Sequence, residues 1–108
     1  MAINRFENVT HSVTDTTTTI YTAPAGFSAI IILAQATNVT ANTSNITFAI
    51  EETGGNTTFL AYEQSIPSND AAGLLTGKLV LKSGQSVSAV GSQNNAIQLV
   101  LSILESEN

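Results

Sequence analysis

No stretch of this chain shows a convincing helical periodicity, apolar on one face and polar on the other. Apolar residues come instead in short blocks rich in Val, Ile, Thr and aromatics, separated by Gly, Pro and Asn. Branched Cβ atoms crowd a helix but fit a pleated strand, and the intervening residues favour chain reversal. The chain therefore reads as all-β: one antiparallel β-sandwich or jelly-roll-like domain of seven to eight strands, with a closed barrel as the alternative. Its 108 residues suit one domain.

The expected strands can be placed in order. Residues 5–13 form a polar, weakly patterned first strand, and 16–22 a Thr-rich second. Ala23-Pro24-Ala25-Gly26 makes a turn into 27–39, the most hydrophobic element. A hairpin at Thr53-Gly54-Gly55-Asn56 joins the alternating strand around Ile46, Phe48 and Ile50 to 57–64, where Phe59 and Ala61 face one way and Leu60 and Tyr62 the other. After a loop at 66–73, residues 74–81 reverse at 82–85 into 86–91. A last turn at Asn94-Asn95 leads into 96–104, where Ile97, Leu99, Leu101 and Ile103 make one inward face. The division expected is 1–19 as an N-terminal arm or edge segment, 20–105 as the β-sandwich, and 106–108 as a polar tail.

Two stretches carry apolar surface that the domain's own core does not obviously use. Ile30, Ile31, Ile32 and Leu33 stand in series, and neighbouring strand residues face opposite ways, so such a run needs cover on both sides. A neighbouring subunit would supply the second cover. Ile3 and Phe6 lie in the weakly patterned N-terminal segment, which as an arm would pack on a neighbour. These six residues are the candidate interface, and a homo-oligomer is the expected state.

Charge narrows the partners. The formal net charge is −5, and the only basic residues are Arg5, Lys78 and Lys82. Phosphate recognition needs clustered Lys and Arg, so neither nucleic acid nor an anionic membrane is an expected partner. The longest apolar run, 29–34, is too short to span a bilayer, and the N-terminus lacks the apolar core of a signal peptide. Without cysteine there are no disulfides or thiolate metal ligands. Five Asn-x-Ser/Thr sites, at Asn8, Asn38, Asn42, Asn45 and Asn56, follow from a Thr/Asn-rich surface.

No set of residues points to catalysis. His11 is the single histidine and lies in a polar segment, where solvation is expected. Glu51 and Glu52 are adjacent, hence on opposite strand faces, and cannot act as a carboxylate pair. Asn69-Asp70 offers too few oxygens for calcium. No catalytic, cofactor-binding or metal-binding residue is assigned, and no cofactor is expected. Tyr21 and Tyr62 could form a sugar-binding platform, although burial with the hydroxyl at the rim is the expectation.

Two segments resemble a known group when taken together. One is the strand, Pro-Ala-Gly turn and buried strand from Thr19 to Leu33; the other is Gly77-Lys-Leu-Val-Leu-Lys-Ser-Gly-Gln-Ser-Val-Ser-Ala followed by Ala96-Ile-Gln-Leu-Val-Leu-Ser-Ile-Leu-Glu. Their order is similar to that of small β-sandwich structural proteins of tailed bacteriophages, cyanophages included. The resemblance implies a non-enzymatic virion protein, made in the bacterial host cytoplasm, with other virion structural proteins as partners. A capsid decoration or cement role ranks first, then a neck, tail or fibre-attachment role. A glycan-binding β-sandwich module is the competing class.

Overall fold

The computed structural model describes residues 3–108, and among them the chain forms nine strands and no helix. They are β1 (Asn4–Ser12), β2 (Thr18–Thr22), β3 (Phe27–Asn38), β4 (Ser44–Glu51), β5 (Thr57–Ile66), β6 (Ala71–Gly73), β7 (Leu79–Leu81), β8 (Ser86–Gly91) and β9 (Ile97–Glu107). All pairings are antiparallel. Sheet 1 runs β1-β9-β3-β6, with β7 also paired to β3; sheet 2 runs β2-β8-β4-β5. Two facing sheets are a β-sandwich, the architecture expected from the pattern of short β-branched blocks.

The connections depart from the expected order in a consistent way. Residues 23–26 carry the chain from sheet 2 to sheet 1, and 82–85 carry it back. The two turns bond to each other: Ala23 N–H donates to Gln85 O (2.9 Å) and Gly84 N–H to Ala23 O (3.0 Å). Residues 74–91 are therefore not a hairpin, because β7 pairs with β3 while β8 pairs with β2 and β4. Turn chemistry shows where a chain reverses but not whether it returns to the same sheet. Among the described residues only β4 and β5, joined through Gly54 and Gly55, are consecutive strands paired as a hairpin.

A bulge in β3 explains the extra strands. The register against β9 slips between Ile31 and Leu33, leaving Ile32 as an added residue. On the other side of β3, Ala29–Ile31 pairs with β7 and Gln35–Thr37 with β6. The bulge thus splits what would be one partner strand into two short ones, laid end to end. Residues 74–78, expected within a strand, bridge the gap, and 71–73, expected as loop, form β6.

The expected division between 19 and 20 falls inside β2, and 106–107 continue β9. The N-terminal segment forms β1, paired with β9 from Asn4↔Ser106 to Ser12↔Gln98. The core lies between the sheets: Ile31, Ile46, Phe48, Leu81, Val87, Leu99 and Leu101 are sealed from solvent. On β9 the inward alternation runs through Ile97, Leu99, Leu101 and Ile103 and then ends on a carboxylate, Glu105, which is 2% exposed.

Candidate assembly face

Cross-strand register places an apolar row on the outer face of sheet 1. Phe6 lies opposite Leu104, Leu104 opposite Ile30, and Ile30 opposite Val80. The row crosses four strands, β1, β9, β3 and β7. Its two ends are open to solvent, Phe6 at 77% and Val80 at 56% exposure. The β3 bulge turns Ile32 and Leu33 outward beside it, each 42% exposed.

The six residues singled out from sequence divide. Phe6, Ile30, Ile32 and Leu33 meet on or beside this row, and Ile3 lies exposed just before β1. Ile31 does not belong with them. It is fully buried in the sandwich core, opposite Ile103, so it cannot reach a neighbour. Val80 and Leu104 were not read as candidates; alternation marks Leu104 as outward, but only register shows that it joins Phe6 to Ile30.

Charge is missing from this face along β1, β9 and β3. Outward positions on β1 are Asn4, Phe6, Asn8, Thr10 and Ser12, opposite Ser106, Leu104, Ser102, Val100 and Gln98. The charged residues of the same two strands, Arg5, Glu7, Glu105 and Glu107, alternate to the other side. The polar groups flanking the apolar row already satisfy one another. Ser106 Oγ donates to Asn4 Oδ1 (2.8 Å), Ser102 Oγ to Asn8 Oδ1 (3.0 Å), and Ser28 Oγ to Asn108 Oδ1 (2.7 Å). Covering such groups costs less than covering unpaired ones. A hollow of about 430 Å³ follows along the face, lined by Thr10, Ser12, Thr37, Gln98 and Val100.

Behind the face, β1 is fastened by an ionic cluster. Arg5 Nε donates to Glu105 Oε1 at 2.6 Å, and the Tyr21 hydroxyl donates to the other carboxylate oxygen. The Arg5 guanidinium also lies over the Phe27 ring, 4.3 Å from its centroid. Burial alone would raise the Glu105 pKa, but the bonds from Tyr21 and Arg5 outweigh it and hold the carboxylate below its ordinary range. Burial, reinforced by the bond to Glu105, pushes the Tyr21 phenol above its ordinary value.

The sign of the pH dependence follows. A carboxylate whose pKa is lowered on folding stabilises the fold fully above its unfolded value, about 4.3, and loses that contribution as pH falls through the folded value. Glu105→Gln should therefore cost about 1.5–3 kcal/mol at pH 7, the range for hydrogen bonds to a charged group. The gap between wild type and variant should narrow below about pH 4. Denaturant midpoints from pH 7 to 2 measure it. A gap unchanged at pH 2 would show that ionisation of Glu105 contributes nothing.

The other residues considered for chemistry are scattered. His11, expected in solvent, is half-buried on β1 opposite Leu99, because β1 pairs against the core; its Nε2 is shut from solvent with no hydrogen-bond partner. Among the described residues no three His, Asp or Glu side chains converge on a point that could hold a metal. Tyr21 on β2 and Tyr62 on β5 occupy opposite edges of sheet 2 and share no groove. Tyr21 is half-buried, whereas Tyr62 is 63% exposed, against the expectation of burial. The Asn38 site is closed to glycosylation in the folded chain: its side chain is buried and donates to Asn42 O (2.8 Å) and Ile66 O (2.9 Å).

No protein-family model matches this chain, and no curated protein matches its sequence. Solved structures match its fold. A chain of a Bacillus endospore appendage, a disulfide-linked pilus, aligns over 99% of this chain and 88% of its own length, with TM-score 0.60 and 12% identity. A chain of the T13 particle of infectious bursal disease virus aligns over 95% of this chain but only 30% of its own, with TM-score 0.60 and 10% identity. A chain of the acid-stable capsid of Helicobacter pylori bacteriophage KHP30 aligns over 97% of this chain and 90% of its own, with TM-score 0.58 and 12% identity. At such identities the likeness is one of fold.

Proposed function

We propose that this chain is a non-enzymatic structural subunit of a bacteriophage virion, a capsid decoration or cement protein that docks through the outer face of sheet 1. The observation that carries this reading is the face crossed by the Phe6–Leu104–Ile30–Val80 row, which is free of charge along β1, β9 and β3 and carries Lys78 and Lys82 beside Val80. A chain with net charge −5 that meets copies of itself must keep like charges out of the contact. This one places its acidic β1 and β9 residues on the opposite side of those strands.

The fold comparison supports the same reading. The KHP30 capsid chain is nearly matched in extent by this domain, so a unit of this size and shape serves in at least one phage capsid. The order of the two segments from Thr19 to Leu33 and Gly77 to Glu105 supports it too. Each contact would be modest in area and gain its strength by recurring around a symmetric particle.

Replacing both exposed ends of the row, Phe6→Glu with Val80→Glu, tests the assignment. Because both side chains are in solvent, the isolated domain should keep its stability within about 0.5 kcal/mol. Self-association in sedimentation and co-purification with capsids should both fall sharply. A double variant that still binds capsids as wild type does would remove this face from the proposal. Co-purification of the wild-type chain with isolated tails or necks, and not with heads, would move the subunit elsewhere in the virion.

A further inference from the structure

The opposite side of the sandwich carries an exposed aromatic pair that regular strand geometry would not produce. Phe59 and Tyr62 are three residues apart on β5, so an unbroken strand would point them to opposite faces. Two register shifts against β4 change this, one between Ile46 and Phe48 and one between Phe48 and Ala49. Leu60 and Ala61 turn inward together, and Tyr62 and Glu63 outward. The rings of Phe59 and Tyr62 meet with centroids 4.7 Å apart and planes tilted by 58°, at 54% and 63% exposure.

This arrangement is held by strained backbone. Glu63 takes φ +47°, a left-handed conformation uncommon for a residue with a Cβ, and its N–H donates to Thr47 Oγ1 at 2.9 Å. Bulges of this kind re-aim side chains and concentrate beside binding sites. Here the shifts do two things at once: they seat Leu60 and Ala61 against the core, and they turn two aromatic rings to solvent.

Beside Phe59 runs a shallow groove on the outer face of sheet 2. One hollow of about 260 Å³ is bounded by Phe59, with a floor of small side chains at Ala49 and Ser88 and hydroxyls from Thr47 and Thr57. A second, of about 190 Å³, shares Thr47 and Val90 with the first and continues past Asn45 and Ser92. The ionisable side chains lining the two are Glu51 and Glu63, with no Lys or Arg among them. We infer that this groove binds a neutral oligosaccharide, a pyranose ring laid along Phe59, which Tyr62 braces.

The chemistry matches that ligand point by point. A pyranose presents an apolar C–H face to an aromatic ring and a rim of hydroxyls to Thr, Ser, Asn and carboxylate groups. Two adjoining hollows suit consecutive sugar rings better than one compact small molecule. The carboxylates accept hydroxyl protons but repel sulfate, phosphate or sialate, and no cation lies in the lining to offset them. The site faces away from sheet 1, so it stays open when that face is covered, and the inference stands apart from the proposed assembly role.

Maltotriose, cellotriose and chitotriose serve as neutral probes and a sulfated heparin fragment as the anionic one, each titrated into the full chain and followed by amide NMR. Binding of at least one neutral probe is expected, with shifts confined to the outward residues of β4, β5 and β8. In Phe59→Ala and Tyr62→Ala that binding should weaken about tenfold each, with melting temperature nearly unchanged because both rings are exposed. Shift mapping on the wild-type chain decides the matter even if a variant misfolds. Silence toward all three neutral probes, preference for the sulfated fragment, or shifts on sheet 1 alone would each overturn the inference.

Discussion

Deletion of residues 1–14 should unfold the isolated domain, not merely strip it of a docking arm. β1 is bonded to β9 across nine residue pairs, and β9 in turn lies between β1 and β3. Without β1, one edge of β9 loses every partner along that length, at roughly 0.5–1.5 kcal/mol for each hydrogen bond lost. The deletion also takes Val13, which is fully buried, and burying such a side chain is worth about 1.5–3 kcal/mol. Val13 further ties down the last turn: its N–H donates to Ile97 O and its carbonyl accepts from Asn95 N–H, both at 2.9 Å. Arg5 leaves as well, and Glu105 stays buried with Tyr21 as its remaining side-chain donor. Against a total stability on the order of 5–15 kcal/mol, these losses are disabling. Circular dichroism and thermal melting of the truncated chain test it. A truncated domain that melts cooperatively near the wild-type temperature, yet no longer binds particles, would establish the arm.

The weak patterning of that segment is what left arm and edge strand equally open. An edge strand faces the core with one row of side chains and has solvent along one of its backbone edges, so few apolar residues are required of it. Here the inward row is Arg5, Glu7, Val9 and His11, of which only Val9 carries an aliphatic signal. Arg5 points to that side, still half exposed, because it pairs with buried Glu105, and residues a hundred positions apart show no such pairing in sequence. Chain order, by contrast, made β9 plain: four aliphatics in strict alternation specify a face without reference to any partner.

Register is the general limit on what could be read. Alternation gave the outward sense of Leu104, but joining Phe6, Leu104, Ile30 and Val80 into a row needs three pairings at once. Bulges added a further loss, because each reverses the alternation beyond it. The one at Ile32 kept Ile31 in the core while turning its two successors out, which is why a single apolar run divided between core and surface. Those on β5 exchanged Ala61 for Tyr62 on the outer face and so created the aromatic pair. The residue types at both places are ordinary for a strand, so the sequence offers no local sign of either shift. The hairpin at Gly54-Gly55, where both residues take positive φ, was legible because that backbone favours glycine.

The largest loss from a single substitution is expected at Phe48. It is fully buried on β4, an inner strand of sheet 2, and is flanked in register by Ala89 on β8 and Ala61 on β5. Two alanines beside one ring leave the space that the ring fills, and neither can expand when it is removed. Phe48→Ala should therefore leave an uncollapsed cavity and cost about 3–5 kcal/mol, at the upper part of that range. Leu101→Ala, fully buried on β9, should cost about 2–5 kcal/mol for the same reason. The controls differ only in the direction they face. Phe59→Ala on the neighbouring strand and Gln98→Ala on β9 remove exposed side chains and should stay within about 0.5 kcal/mol. Denaturant midpoints of the four variants at one pH suffice, with a constant slope showing that the unfolded state is comparable throughout. Equal losses at Phe48 and Phe59, or at Leu101 and Gln98, would mean that the inward faces assigned to β4 and β9 are wrong, and with them the sandwich register on which the outer apolar row depends.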